Sequence, residues 1–246
     1  MISFNELGKM GRLGNQLFQL AATIALATRN NDKYMLPPWQ YEKYFNLHGC
    51  FSNNIRATTT YNEPFFHYKE ILHRNTSAQI LELKGYFQSE KYFIDCAELI
   101  RQAFTPIYGI HLQPETTSIH VRRGDYLKLS HAHTNLSPEY YAEAVKITNT
   151  KNYIVFSDDI EWCKNNFAWL AAMDKNIIFS TNKSPVEDLT IMAGCQNNII
   201  ANSSFSWWSG WLNPNTNKTI VAPKNWFGPT LQHNVKDLCP EAWKKI

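Results

Sequence analysis

The chain has 246 residues, 44% of them apolar and 14% aromatic, enough to bury a sizeable core and to exclude a disordered or low-complexity polypeptide. A net charge of +3 with scattered Lys and Arg is too small for a nucleic-acid or membrane-surface footprint, so any anionic partner must be held locally. No basic start followed by an apolar stretch opens the sequence and no long apolar run follows, which reads as a soluble cytoplasmic protein without a transmembrane segment.

In chain order, Ile2 to Lys9 reads as a strand, and Leu17, Leu20, Ala21, Ile24 and Ala25 mark one face of a following helix. Between them, Gly11-Arg12-Leu13-Gly14-Asn15-Gln16 forms a glycine loop where backbone can approach a ligand closely. It is neither a G-x-x-x-x-G-K-S/T nor a G-x-G-x-x-G sequence, so NTP hydrolysis and dinucleotide binding are not favoured. Residues 31 to 80 read mostly as loop and packed aromatic insert. Trp39, Tyr41, Tyr44, Phe65, Phe66 and His67 there could stack on sugar rings, although core packing is the commoner fate of such side chains. A lobe boundary is expected in the irregular stretch 105 to 116, with Pro106, Gly109 and Pro114.

From about residue 118 short Ile- and Val-rich runs alternate with helical stretches, the signature of a parallel α/β sheet. The expected strands are Ser118 to Val121, Tyr153 to Ser157, Asn176 to Ser180, Asn198 to Ala201 and Thr219 to Ala222. Helices are expected near 138 to 148, 160 to 168, 185 to 195 and 204 to 212. Ser137-Pro138 and Ser184-Pro185 each place a capping hydroxyl before a proline at the first helical position, and Glu187 completes a capping box with Ser184.

Ligands of an open parallel sheet bind at the carboxyl ends of its strands, which directs attention to three polar clusters. They are Arg122-Arg123-Gly124-Asp125, Ser157-Asp158-Asp159 and Asn202-Ser203-Ser204-Phe205-Ser206. Paired arginines suit a diphosphate, because guanidinium keeps its charge and offers a rigid fork of donors; one of them, Arg123 more than Arg122, could instead pair with a carboxylate and only fix the loop. The Ser203 to Ser206 cluster opens a helix, where free N–H groups receive an anion or are simply capped. Asp158 and Asp159 lie adjacent on a strand end with no D-x-D, so Mg²⁺ is disfavoured and capping of the helix at 160 is the expected use of one of them. His67, His73, His131 and His133 show no metal spacing. The five cysteines (Cys50, Cys96, Cys163, Cys195, Cys239) contain no C-x-x-C pair and are expected as reduced, mostly buried thiols. N-x-S/T triplets such as Asn75-Thr76-Ser77 and Asn202-Ser203-Ser204 follow from an Asn-rich composition.

Four ordered segments resemble the family-11 α-1,2-fucosyltransferases: Gly11-Arg12-Leu13-Gly14-Asn15-Gln16-Leu17-Phe18-Gln19, His120-Val121-Arg122-Arg123-Gly124-Asp125-Tyr126, Phe156-Ser157-Asp158-Asp159, and Asn202-Ser203-Ser204-Phe205-Ser206-Trp207-Trp208. The resemblance implies an α/β, GT-B-like fold of two Rossmann-like lobes with a cleft between them. Residues 1–113 would form the acceptor-side lobe and 114–232 the GDP-sugar lobe, with 233–246 packing back on the first lobe and a helix as one option there. It implies inverting transfer of L-fucose from GDP-β-L-fucose to a galactose-containing glycan, at O2 of galactose, with no metal or other cofactor. Arg122 would then be the main β-phosphate ligand, with Asn15 and Gly14 near the β-phosphate and fucose. Asp158 would line the donor site, His120 and Asp188 would contact guanine, and Ser203, Ser204, Phe205 and Ser206 the phosphates. A carboxylate at Asp188 can accept paired N–H donors from guanine. Asp125 or Glu6 could take the acceptor proton, as could water or a phosphate oxygen of GDP. A transferase of another linkage or nucleotide sugar, and a non-catalytic carbohydrate-binding protein, are the competing readings; a lectin has no need of an arginine pair at a parallel strand end.

Overall fold

A computed structural model describes residues 1–73, 79–181 and 184–246. The triplet Asn75-Thr76-Ser77 lies outside the described residues. The chain forms two compact units, Met1–Tyr108 with Asn234–Pro240, and Gly109–His233 with Glu241–Ile246.

In the first unit the strands β1 (Ile2–Ser3), β2 (Tyr34–Leu36), β3 (Cys50–Phe51), β4 (Thr59–Asn62) and β5 (Leu81–Lys84) form one parallel sheet in the order β3-β2-β1-β5-β4. Three of these strands fall within residues 31 to 80, expected mostly as loop. They are only two to four residues long and β4 reads Thr-Thr-Tyr-Asn, so no apolar alternation announces them. The opening strand is shorter than Ile2 to Lys9: after Ser3 the backbone turns, with Leu7 N–H donating to Phe4 O and Lys9 N–H to Glu6 O. Helix α1 (Leu13–Arg29) buries every residue from Leu13 to Ala27 except Asn15. Its Leu- and Ala-rich sequence suits a helix enclosed on all sides. Helix α2 (Ala97–Phe104) completes the unit and packs Ile100 and Phe104 inward. The segment Asn234–Pro240 is tied here through Asp237, which accepts from Tyr68 N–H at 3.2 Å and pairs with Lys91 at 2.6 Å.

The second unit follows the expected alternation closely: β6 (Gln113–Val121), α3 (Gly124–Lys128), α4 (Pro138–Thr148), β7 (Asn152–Ser157), α5 (Ile160–Asn166), α6 (Trp169–Ala172), β8 (Asn176–Phe179), α7 (Pro185–Gly194), β9 (Cys195–Ile199), α8 (Ser204–Leu212), β10 (Ile220–Ala222) and β11 (Lys244–Lys245). All pairings are parallel, in the order β11-β10-β9-β6-β7-β8. Ile119, Val121, Val155, Ile199 and Val221 from four strands join Tyr141, Val145 and Phe167 in one core. The strand β9 starts earlier than Asn198 because its buried asparagines are satisfied: Asn198 Nδ2 donates to Ser118 Oγ (2.8 Å) and Met192 O (2.7 Å), while Asn213 Nδ2 donates to Asn198 Oδ1 (2.7 Å). Residues 233–246 contain no helix; Val221 and Ala222 of β10 recruit Lys244 and Lys245 as an edge strand instead.

Of the two expected serine caps, Ser184 accepts the Glu187 N–H at 3.1 Å, whereas Ser137 makes no side-chain cap bond and the helix start rests on Pro138. All five cysteines are free, but only Cys163 and Cys195 are buried and Cys50 is exposed.

Each sheet has one place where the chain reverses its order. In the second unit β6 leads outward through β7 and β8 before β9 returns to its other side; in the first, β1 leads through β2 and β3 before β4 and β5 return beside it. Such switch points leave a crevice beyond the strand ends in which ligands bind. The residues that follow β6 and β9, and those that follow β1 and β5, therefore occupy the expected places.

Candidate active site

At the end of β6, Arg122 is only 15% exposed and holds two carboxylates, Asp125 Oδ1 at 2.5 Å from Nη2 and Asp158 Oδ2 at 2.8 Å from Nη1. The two partners are held differently. Asp158 Oδ1 also accepts the Arg123 and Gly124 N–H groups, at 2.9 and 3.2 Å, so the β7 end is laced to the β6 end. Asp125 sits on the short helix α3 with 43% of its side chain exposed. The Arg122 guanidinium also lies over the Tyr126 ring, 5.3 Å from its centre, and the Tyr126 hydroxyl donates to Asn202 O at 3.1 Å. Tyr126 was assigned no role from sequence, although it closes the arginine motif.

Gly124 makes this arrangement possible. A Cβ there would come within 2.6 Å of Asp158 Oδ2. Gly124→Ala is therefore expected to displace Asp158 from Arg122 and lower activity at least about tenfold with a smaller loss of stability, read from transfer rate beside a thermal melt.

Arg123 is spent structurally: its Nε pairs with Asp159 at 3.2 Å and its guanidinium lies 3.9 Å from the centre of the Trp162 ring. Asp159 also caps α5 through the Trp162 N–H, the use expected for one of the two adjacent aspartates.

His120, one residue before Val121 on β6, is 6% exposed and shares a 2.9 Å hydrogen bond between Nδ1 and Ser206 Oγ. Its ring lies 5.6 Å from that of Phe205. Burial, reinforced by the Arg122 charge and only partly offset by Asp158, pushes the imidazole down to about 3, so the ring is neutral at physiological pH. A free histidine protonates near 6.5, so the unfolded chain takes up this proton before the folded one. Stability linked to His120 is thus complete above about pH 6.5 and is lost as pH falls toward about 3. His120→Asn is expected to flatten the pH dependence of urea unfolding across that window; an unchanged slope would contradict the neutral assignment.

Ser206 is fully buried, and its hydroxyl faces His120. In the structure it meets the imidazole, and no side of the hydroxyl is open to solvent. Ser203 caps α8 by accepting the Phe205 N–H at 3.3 Å, while Ser203, Ser204 and Phe205 remain partly open at the helix start.

Asp188, in the first turn of α7, accepts a 2.8 Å hydrogen bond from Ser180 Oγ just beyond β8. Burial raises its pKa and Ser180 partly counters that rise. Sequence reading places Ser180 as the last residue of the strand Asn176 to Ser180; the structure ends that strand at Phe179 and leaves Ser180 just beyond it.

In the first unit the glycine loop is braced by amides. Gln16 Nε2 donates to Gly11 O at 2.8 Å, Trp39 Nε1 donates to Gln16 Oε1 at 2.8 Å, and Gln19 Nε2 donates to Met10 O at 3.2 Å. Trp39 is thus a buried structural partner, not a sugar platform, while Phe65 remains 51% exposed and stacks on His67 at 5.0 Å. Gly11 takes φ +73°, and a Cβ there would strike Asn15 Nδ2 at 2.3 Å. Gly14 is buried within α1. Asn15 is half-open, and Gln88 Nε2, following β5, donates to its Oδ1 at 2.9 Å. A cavity of about 140 Å³ lined by Ala27, Thr28, Tyr34 and His48 lies at the other end of α1 and contains none of the expected site residues.

Among the described residues no group of three or more His, Cys, Asp or Glu is arranged to hold a metal ion, and no helix is long and apolar enough to cross a membrane.

The model of glycosyl transferase family 11 matches residues 2–246. An alpha-1,2-colitosyltransferase of Escherichia coli is 30% identical over 282 aligned positions, covering 96% of this chain and 96% of that protein. The galactoside 2-alpha-L-fucosyltransferase SEC1 of Bos taurus is 23% identical, over 82% of this chain and 62% of that protein. Among solved structures, a mutant FUT1 of Arabidopsis thaliana in complex with GDP matches with a TM-score of 0.56 at 11% identity, over 99% of this chain and 75% of that one, a likeness of fold consistent with two parallel α/β units of the GT-B-like kind.

Proposed function

Because the chain belongs to glycosyl transferase family 11, we propose that it transfers L-fucose from GDP-β-L-fucose to O2 of galactose in a glycan acceptor, with inversion at C1 and without a metal ion. Arg122 carries this reading: a largely enclosed guanidinium at the switch point of a parallel sheet, after the strand that neighbours the one leading into α8, is suited to a departing diphosphate. Asp158, fixed by two backbone N–H groups, keeps the guanidinium in place, and the β-phosphate takes over the donors that Asp125 occupies in the free protein. As the bond from C1 to the β-phosphate oxygen breaks, its electron pair leaves with GDP, and a positioned positive charge stabilises that developing anion. The acceptor oxygen forms the new bond to C1 and gives up its proton; Asp125, released from Arg122, is one group able to take it, with Glu6, water or GDP itself as the others.

Guanine is assigned to the Asp188 carboxylate and the neutral His120 ring, and the phosphates to Arg122 and the Ser203 to Phe205 helix start. Asn15 is assigned to the β-phosphate and fucose, and the first unit to the acceptor. The free cysteines suit a reducing, cytoplasmic place of action.

One observation favours a second sugar: the 30% identical relative covering nearly the whole chain is a colitosyltransferase. Colitose in place of fucose would use the same phosphate and guanine contacts. Thermal shift with GDP, ADP and UDP tests the donor reading. GDP is expected to raise the melting temperature above the effect of the other two, equally in EDTA. A flat response to GDP removes the reading, and a shift abolished by EDTA removes metal independence.

A further inference from the structure

The loop after β5 is held by a side-chain carboxylate. Glu63 accepts the Tyr86 N–H at 2.7 Å and the Phe87 N–H at 3.0 Å, and thereby fixes the segment that presents Gln88. Gly85 lets this carboxylate in, since a Cβ there would lie 2.4 Å from Glu63 Cβ and its φ is +155°. Gln88, 8% exposed, donates from Nε2 to Asn15 Oδ1 at 2.9 Å. Asn15 is the single residue from Leu13 to Ala27 that is not buried, and it follows β1 at the switch point of the first sheet, with Gln88 following the neighbouring β5.

An asparagine amide has an acceptor end and a donor end, and turning it over reverses the sign of what it offers to an anion. With Oδ1 occupied by Gln88, Nδ2 lies above the positive-φ Gly11. We propose that Gln88 is a positioning residue that fixes the Asn15 amide with its NH₂ toward the donor's phosphate, and so determines whether Asn15 attracts or repels the diphosphate. This rests on the reading of Asn15 as a donor contact. Glu63 serves as the anchor of the relay, one step further from the ligand.

Substitution at Gln88 separates this role from space filling. Gln88→Met keeps the bulk but removes the amide. Gln88→Glu keeps the shape but can only accept, so it draws the Asn15 NH₂ to itself and turns Oδ1 outward. GDP binding to the full chain is measured by calorimetry for the wild type, Gln88→Met, Gln88→Glu, Asn15→Ala and the Asn15→Ala/Gln88→Met pair, with thermal melts as the check on folding. Gln88→Met and Asn15→Ala are each expected to weaken GDP binding about tenfold, the pair to be no weaker than Asn15→Ala alone, and Gln88→Glu to be weakest of the single variants. Effects that multiply in the double variant, or a Gln88→Glu protein that binds GDP like the wild type, would overturn the relay. If Gln88→Met fails to fold, the isosteric Gln88→Glu decides alone. Wild-type affinity in Asn15→Ala would remove the donor contact and the relay with it, whereas no GDP binding by the wild type would remove the donor assignment itself.

Discussion

Arg122→Ala is expected to lower kcat/KM for sugar transfer by at least about 10²-fold, equivalent to about 2.7 kcal/mol of transition-state stabilisation, while the protein still folds. The fold should survive because neither carboxylate is left stranded. Asp158 keeps the Arg123 and Gly124 N–H groups, and Asp125 is 43% exposed and can return to water. Arg122→Lys should restore little, since an ammonium cannot occupy Asp158 through one nitrogen and leave a second, fixed nitrogen for phosphate. Steady-state kinetics beside a thermal melt decide it; near-normal turnover in Arg122→Ala would remove this residue from the reaction. Asp125→Asn offers a complementary reading. With its competitor for Nη2 weakened, Arg122 should bind GDP more tightly even where turnover falls.

Asp188→Ala should cost the preference for GDP over ADP and UDP about 10²-fold, because two N–H donors of guanine lose a charged acceptor. The same variant is expected to be at least as stable as the wild type near neutral pH. Burial raises the Asp188 pKa, so over the interval between its unfolded and folded values the native state binds the extra proton, and stability falls as pH rises through that interval. Removing the carboxylate removes that cost, a trade of stability against selectivity familiar at binding sites. The raised pKa also means that guanine selectivity should fade on acidification at a higher pH than an ordinary carboxylate would give. Competition binding of the three nucleotides across pH reads both effects, and selectivity that neither falls in the variant nor changes with acidification would count against the assignment.

Legibility in the sequence followed the physics of each segment. Asn152–Ser157 and Ile220–Ala222 are short apolar runs between helical patterns and could be placed within a residue or so. Tyr34–Leu36, Cys50–Phe51 and Thr59–Asn62 could not, because strands of two to four residues leave no periodicity and draw their stability from neighbours distant in sequence. Ser137 and Ser184 look alike before proline, yet only Ser184 bonds the helix start, since the hydroxyl's choice of partner is set by its surroundings. At the site, strand ends directed attention to Arg122 and Asp158 without contacts, and the family resemblance to Asp188. What they could not reveal was division of labour: that Arg123 is consumed by Asp159 and Trp162, that Ser206 holds His120, and that Gln88, far along the chain, orients Asn15. Each of these depends on which side chain a folded neighbour happens to reach, and no spacing encodes it.

The proposed reaction is transfer of fucose from a guanosine diphosphate donor to galactose O2. Incubation with GDP-β-L-fucose and a panel of galactosides in the presence of EDTA, followed by linkage and anomeric analysis of the product, tests it most directly, with the corresponding colitose donor run in parallel. An α-1,2-linked fucosyl galactoside formed without metal is the predicted result. Product from the colitose donor alone, a different linkage, or no transfer from a GDP-sugar at all would contradict it.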